Sequence, residues 1–172
     1  MNKLNNIFLV GLMGVGKTTI ARLLANNLHK DFIDSDHEIE KNAGSTIPWI
    51  FEYEGEAGFR QREQAIIAKL TAQSNIILST GGGVVLNADN CEYLQSRGYV
   101  IYLRASVNDL LARTAHNSNR PLLKTNPRKK LTTLFKERHP LYQAVADVTI
   151  ETGGRSIRQV VAIVLKHLNV NC

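Results

Sequence analysis

Residues Gly11-Leu-Met-Gly14-Val15-Gly16-Lys17-Thr18 match G-x-x-x-x-G-K-[ST], a spacing that suits the handling of phosphate. Glycines let consecutive backbone N–H groups curl around phosphate oxygens, and the helix that follows adds partial positive charge at its N-terminus. A lysine then reaches the β and γ phosphates, and the last hydroxyl ligates Mg²⁺. The match lies directly after an apolar run, Ile7 to Val10, and directly before a helical pattern, the context that separates it from a glycine-rich turn with a surface lysine. Gly11, Gly14, Val15, Gly16, Lys17, Thr18 and Thr19 are therefore expected to cradle a nucleoside triphosphate, with Thr18 at the metal.

Asp34 and Asp36 stand one serine apart behind Phe32-Ile33. On a strand they share a face and repel. Many proteins with this phosphate loop draw a second acid for the Mg²⁺ shell from the end of a later strand. Here the third apolar run ends in Ser79 and Thr80 instead, which leaves the Asp34/Asp36 pair as the supplier. A metal beside one carboxylate relieves the repulsion and frees the other for a substrate; a solvated turn is the competing reading. Gly81-Gly82-Gly83 follows that third run. Three consecutive glycines cost backbone entropy, which points to positive φ or a ligand close to the backbone, against the alternative of a bare turn. Arg60, Arg62, Arg113, Arg120 and Arg138 offer planar forks for a carboxylate or phosphate, each weighed against an ordinary solvated surface role. Trp49 and Phe59 are expected to line an acceptor pocket and Phe51 to pack in the core. The five histidines show no ligand spacing.

Five apolar runs suited to buried strands position these groups: Ile7 to Val10, Phe32 to Ile33, Ile76 to Leu78, Tyr99 to Leu103 and Val148 to Ile150. Helical patterns alternate with them, two with capping-box spacing at Ser106/Asp109 and Ser156/Gln159. Apolar strands alternating with helices predict an α/β fold, a parallel sheet covered on both faces with ligands at the carboxyl ends of its strands.

The length of 172 residues suits one domain, and 44% apolar against 21% charged residues reads as globular and soluble, without linker, repeat or low-complexity tract. The opening residues have a lysine and an apolar stretch but continue into the phosphate loop instead of a cleavage site, and no run approaches membrane-helix length. Cys91 and Cys172 have no metal-ligand spacing and read as reduced thiols, so a cytoplasmic protein is expected. Net charge is +6, yet the window Arg113 to His139 alone carries eight Lys or Arg against one acid, leaving 13 basic and 14 acidic residues elsewhere. No aromatic residue interleaves Arg113 to Lys130, which argues against a nucleic-acid patch; Pro121 and Pro127 among small polar residues suggest a cationic lid over about 114–126.

Taken in order, "GLMGVGKTT", "FIDSD", "EGEAGFRQRE", "STGGGVV", "RTAHNSNRPLL" and "RHPLYQAVAD" resemble the shikimate kinase family. The first motif is common to many NTPases; the ordered set is specific. The resemblance implies a P-loop NTPase of the nucleoside-monophosphate-kinase-like type, a three-layer sandwich around a five-stranded parallel sheet of order 2-3-1-4-5. It also implies a monomer, a single kinase domain over residues 1–172 with the phosphate loop at 11–18 and an acceptor-binding helical region at about 35–63. The implied activity is transfer of the ATP γ-phosphate to the 3-hydroxyl of shikimate, on the way to chorismate and the aromatic amino acids. By position, Asp36 contacts the acceptor hydroxyl and Asp34 sits near Mg²⁺. Arg60 and Arg138 hold the shikimate carboxylate, with Gly82 and Gly83 lining the same pocket. Arg120 reaches the ATP phosphates from the lid, and Arg113 and Arg155 lie beside adenine. Lys17, Asp36 and Arg120 form the expected catalytic set, with no role for nucleic acid or membrane. A kinase of another small anion such as gluconate, and a regulatory nucleotide-binding module without turnover, are the rivals; the acceptor-side acids and arginines weigh against the second.

Overall fold

A computed structural model of the chain describes residues 2–115 and 125–170. Five strands, β1 (Ile7–Val10), β2 (Asp31–Asp34), β3 (Ile76–Ser79), β4 (Tyr99–Arg104) and β5 (Val148–Glu151), form one sheet of order β2-β3-β1-β4-β5. Every pairing is parallel, with Leu9 opposite Ser79 on one side and Ile101 on the other. The central strands β1 and β3 are buried at every position, because helices cover both faces and leave no side of the pleat open to water. The edge strands β2 and β5 are only partly buried and carry Asp31 and Asp34, or Thr149 and Glu151.

Among the described residues seven α-helices flank the strands: α1 (Lys17–Leu28), α2 (Ser35–Ala43), α3 (Ile47–Thr71), α4 (Ala88–Arg97), α5 (Val107–Thr114), α6 (Pro127–Val145) and α7 (Ile157–Val170). Helix α1 packs on α7, and α4 packs on α3 and α6, closing two layers around the core of Phe8, Leu24, Ile67, Ile77, Leu94 and Ile101. Both capping boxes form at their serines: Asp109 N–H donates to Ser106 Oγ, and Ser156 and Gln159 bond reciprocally at 2.8 and 3.2 Å. No helix of the described residues is long and apolar enough to cross a membrane.

Two departures from the sequence expectation shape the site. Helix α3 is interrupted at Gly55 (φ 70°, ψ −179°), so the single helical pattern is an arm of residues 47–54 set against a second arm of 56–71. Strand β2 ends at Asp34, which caps α2, and Asp36 therefore lies on the first turn of a helix instead of sharing a strand face with Asp34. The amino edge of the sheet is sealed by the buried side chain of Asn6, which donates to the Gln73 and Arg97 carbonyls and accepts from Ile76 N–H. The carboxyl edge carries the loops that matter.

Candidate active site

The phosphate loop leaves β1 at Gly11 and enters α1 through Gly16, whose φ of 99° is open only to glycine without strain. That turn directs the first N–H groups of α1 outward as an anion site. Lys17, 8% exposed, donates to the Gly11 carbonyl at 2.6 Å and the Leu12 carbonyl at 3.0 Å, which arches its ammonium back over the loop. Thr18 Oγ1 donates to Asp34 Oδ2 at 2.8 Å and lies 3.3 Å from Ser79 Oγ, so one hydroxyl meets the ends of two strands.

All three residues of Asp34-Ser35-Asp36 are used differently. Asp34 accepts from Thr18 with one oxygen and from His37 N–H with the other, capping α2 at 3.1 Å. Ser35, fully buried, accepts from Gly81 N–H at 3.1 Å and ties the acidic turn to the glycine run. Asp36 lines the cavity, and no donor among the described residues reaches its carboxylate. Desolvation first, then the charges of Asp34, Glu63 and Glu40, push its pKa up to about 6, against the opposing pull of Lys17. Asp36 Oδ1 and Glu63 Oε2 flank Gly81 so closely that a Cβ there would stand 2.7 and 3.1 Å from them.

Arg60 projects from the second arm of α3 and donates to Glu63 Oε1 at 2.7 Å, one turn later on the same face. The guanidinium sits against Gly83, where any Cβ would come within 2.3 Å of its nitrogens. Arg138 enters from α6, buried to 8% exposure, with Nη1 beside Gly82. Tyr142, one turn along α6, donates its hydroxyl to the Gly82 carbonyl. Arg60 Nε, Arg138 Nε and Glu63 Oε2 are buried without a partner among the described residues. All three belong to side chains lining one cavity of about 620 Å³, which runs from the phosphate loop past Asp36 to the two arginines. Buried polar atoms without partners are costly, so three of them around one cavity indicate a polar occupant on that wall.

Arg113 closes the phosphate-loop end, donating to the Val15 carbonyl at 3.1 Å and to Thr152 through both its hydroxyl and its carbonyl. Arg155 sits in the turn after β5, bonded to the Glu151 carbonyl, and does not line the cavity. Arg120 and most of the expected lid segment lie outside the described residues, as does Cys172. The aromatic assignment is corrected at Trp49, which is 48% exposed and stacks on Tyr53 away from the cavity; Phe51 packs against the core as expected and also lines the cavity beside Phe59. Residues 49 and 51 face opposite sides of a helix, so both cannot turn inward. Glu63 and Tyr142 had no assigned role in the sequence; their three- and four-residue offsets from Arg60 and Arg138 are the signal that pairs them.

The donor set suits a hard cation. Thr18 Oγ1, Asp34 and Ser79 Oγ present only oxygen, and no cluster of three or more His, Cys, Asp or Glu exists among the described residues. Few protein oxygens, completed by phosphate and water, fit Mg²⁺.

The chain matches the family model described as shikimate kinase over residues 13–169. A shikimate kinase of Cupriavidus pinatubonensis is 55% identical over 166 residues, 96% of this chain and 86% of that protein. The solved shikimate kinase from Acinetobacter baumannii in complex with shikimate is 50% identical with a TM-score of 0.94, covering 98% of this chain and 94% of that one. The shikimate kinase of Aquifex aeolicus gives a TM-score of 0.85 at 36% identity, covering 96% and 97%.

Proposed function

The chain belongs to the shikimate kinase family, and from that membership we propose how its own residues perform the reaction. The enzyme transfers the γ-phosphoryl group of ATP to the 3-hydroxyl of shikimate, giving shikimate 3-phosphate and ADP on the route to the aromatic amino acids. The observation that carries the residue-level reading is the Arg60/Arg138 pair, set with Gly82 and Gly83 on the cavity wall beyond Asp36.

Shikimate is a monocarboxylate, and its anion is matched by this wall. Arg60, paired with Glu63, and Arg138 together present two guanidinium forks to a single acceptor carboxylate. The guanidinium forks grip it bidentately. Asp36, with its pKa of about 6, receives the hydroxyl proton or orients the hydroxyl near neutral pH; positioning carries most of the barrier reduction in phosphoryl transfer. The N–H groups of the phosphate loop and Lys17 hold the β and γ phosphates, and Lys17 meets the charge that develops on transfer. Thr18, with Asp34 close behind it, would hold Mg²⁺, which supplies charge neutralisation across the transferred phosphate. Gly11, Gly14, Val15, Gly16 and Thr19 complete the cradle, Arg113 and Arg155 serve the adenine side, and Arg120 serves the phosphates. We place this enzyme in the cytoplasm as a monomer of one kinase domain, residues 1–172, with a lid at about 114–126 and an acceptor region at about 35–63.

The test is ADP release by purified protein with Mg-ATP, with and without shikimate and with gluconate as a second acceptor. Strong release only with shikimate is expected. Faster release with gluconate would overturn the acceptor assignment and leave the nucleotide half standing.

A further inference from the structure

Arg138 sits where α6 is least braced by its own backbone. Pro140, two residues on, has no N–H to offer the Lys136 carbonyl, so one rung of the helix is missing next to the clamp. Beside it stands Tyr142, four residues along on the same face. Its ring is fully buried and packs on Tyr102 with centroids 5.0 Å apart, and Tyr102 is itself anchored through His139 Nδ1 at 2.9 Å. The ring therefore has little freedom. Its hydroxyl donates to the Gly82 carbonyl, and Arg138 Nη1 lies beside that same glycine, so its one proton is committed to the acceptor wall.

The Gly82 carbonyl is the informative partner. In a trans peptide the C=O of one residue and the N–H of the next point in opposite directions. Fixing the Gly82 oxygen toward α6 therefore fixes the Gly83 N–H away from it, and neither Gly82 N–H nor Gly83 N–H donates to an acceptor among the described residues. Gly83 also carries the Arg60 guanidinium against its backbone. One hydroxyl thus holds the glycine pair that both arginines flank, Arg138 beside Gly82 and Arg60 beside Gly83.

We infer that Tyr142 is a positioning residue for the acceptor, its hydroxyl setting the Arg138 fork and the Gly82-Gly83 peptide in a single register before shikimate arrives. This rests on the assignment of that wall to the shikimate carboxylate. Burial pushes the Tyr142 hydroxyl pKa well up, so the group keeps its donor proton at any working pH.

The experiment compares Tyr142→Phe, Arg138→Met and the double variant by steady-state kinetics in both substrates, each run well below its own measured Tm. Tyr142→Phe keeps the ring and removes the hydroxyl. Shikimate KM is expected to rise about tenfold, the size of one hydrogen bond to a charged group, with ATP KM within about twofold. kcat should fall by less than KM rises. In the Arg138→Met background the same change should raise KM by clearly less, because the two meet at one glycine. If Arg138→Met leaves shikimate KM unchanged, the acceptor assignment itself fails. If Arg138→Met acts as expected while Tyr142→Phe leaves shikimate KM alone, or moves both KM values together, the tyrosine is merely structural and the inference is overturned.

Discussion

Asp36 is the residue whose removal should strengthen the fold while disabling the enzyme. Its pKa rises from 3.8 in a model peptide to about 6 here, close to two units. At 1.36 kcal/mol per unit, holding that carboxylate ionised in the folded protein costs on the order of 3 kcal/mol. The folded state binds the proton more tightly than the unfolded chain between those two values. Stability of the parent protein therefore falls as pH rises through that window, and the cost is present in full above it. Asp36→Asn removes the charge and keeps the shape. Since the new amide must find partners of its own, about 1–3 kcal/mol of that cost should be recovered at pH above about 7. For a domain of this size each kcal/mol moves Tm by roughly 2–4 °C, so a gain of about 2–12 °C is expected. Thermal melts of both proteins across a pH series measure it: the gap should be widest above the folded pKa and close toward the model-peptide value. The same variant should lose at least ~100-fold in kcat. Equal Tm values at neutral pH, or a gap that persists undiminished into acid, would refute the charge argument.

Gly83→Ala inserts a methyl within 2.3 Å of the Arg60 guanidinium, so the arginine must leave its seat; shikimate KM should rise at least about tenfold with ATP KM steady, read by coupled ADP release. Glu63→Gln takes the counter-charge from Arg60 and should raise shikimate KM by about the same factor, since a charge-assisted bond is lost; an unchanged value would mean that Arg60 orients without its partner. Lys17→Met should cut kcat by on the order of 10²–10³ or more while circular dichroism stays that of the parent, and retained turnover would remove the lysine from the transition state.

What the sequence disclosed follows from how each feature is encoded. The phosphate loop was legible because its residues are consecutive and its context is local. The central strands were legible because burial on both faces writes an unbroken apolar run, as in Ile7–Val10 and Tyr99–Leu103. Gly55 was not, since a glycine within a helical pattern gives no sign that its φ will turn positive. The first arm of α3 turns Phe51 inward and Trp49 outward, so Phe51 and not Trp49 joins Phe59 at the cavity. Glu63 and Tyr142 were hidden for another reason. A three- or four-residue offset says which side chains are neighbours on a helix, but only the docking of α3 and α6 on the glycine run says what they jointly face.

The outward turn of Trp49 has an optical consequence. It is the chain's only tryptophan, stacked on Tyr53 with ring centroids 3.9 Å apart, on the arm whose inner side lines the acceptor cavity through Ile47, Pro48 and Phe51. Red-edge excitation of this protein therefore interrogates one indole at one place. A shift of that arm when a transparent acid is seated alters the stacking and with it the emission, while events confined to the phosphate loop have no fluorophore beside them. The fold thus supplies its own unlabelled spectroscopic channel for one substrate of two.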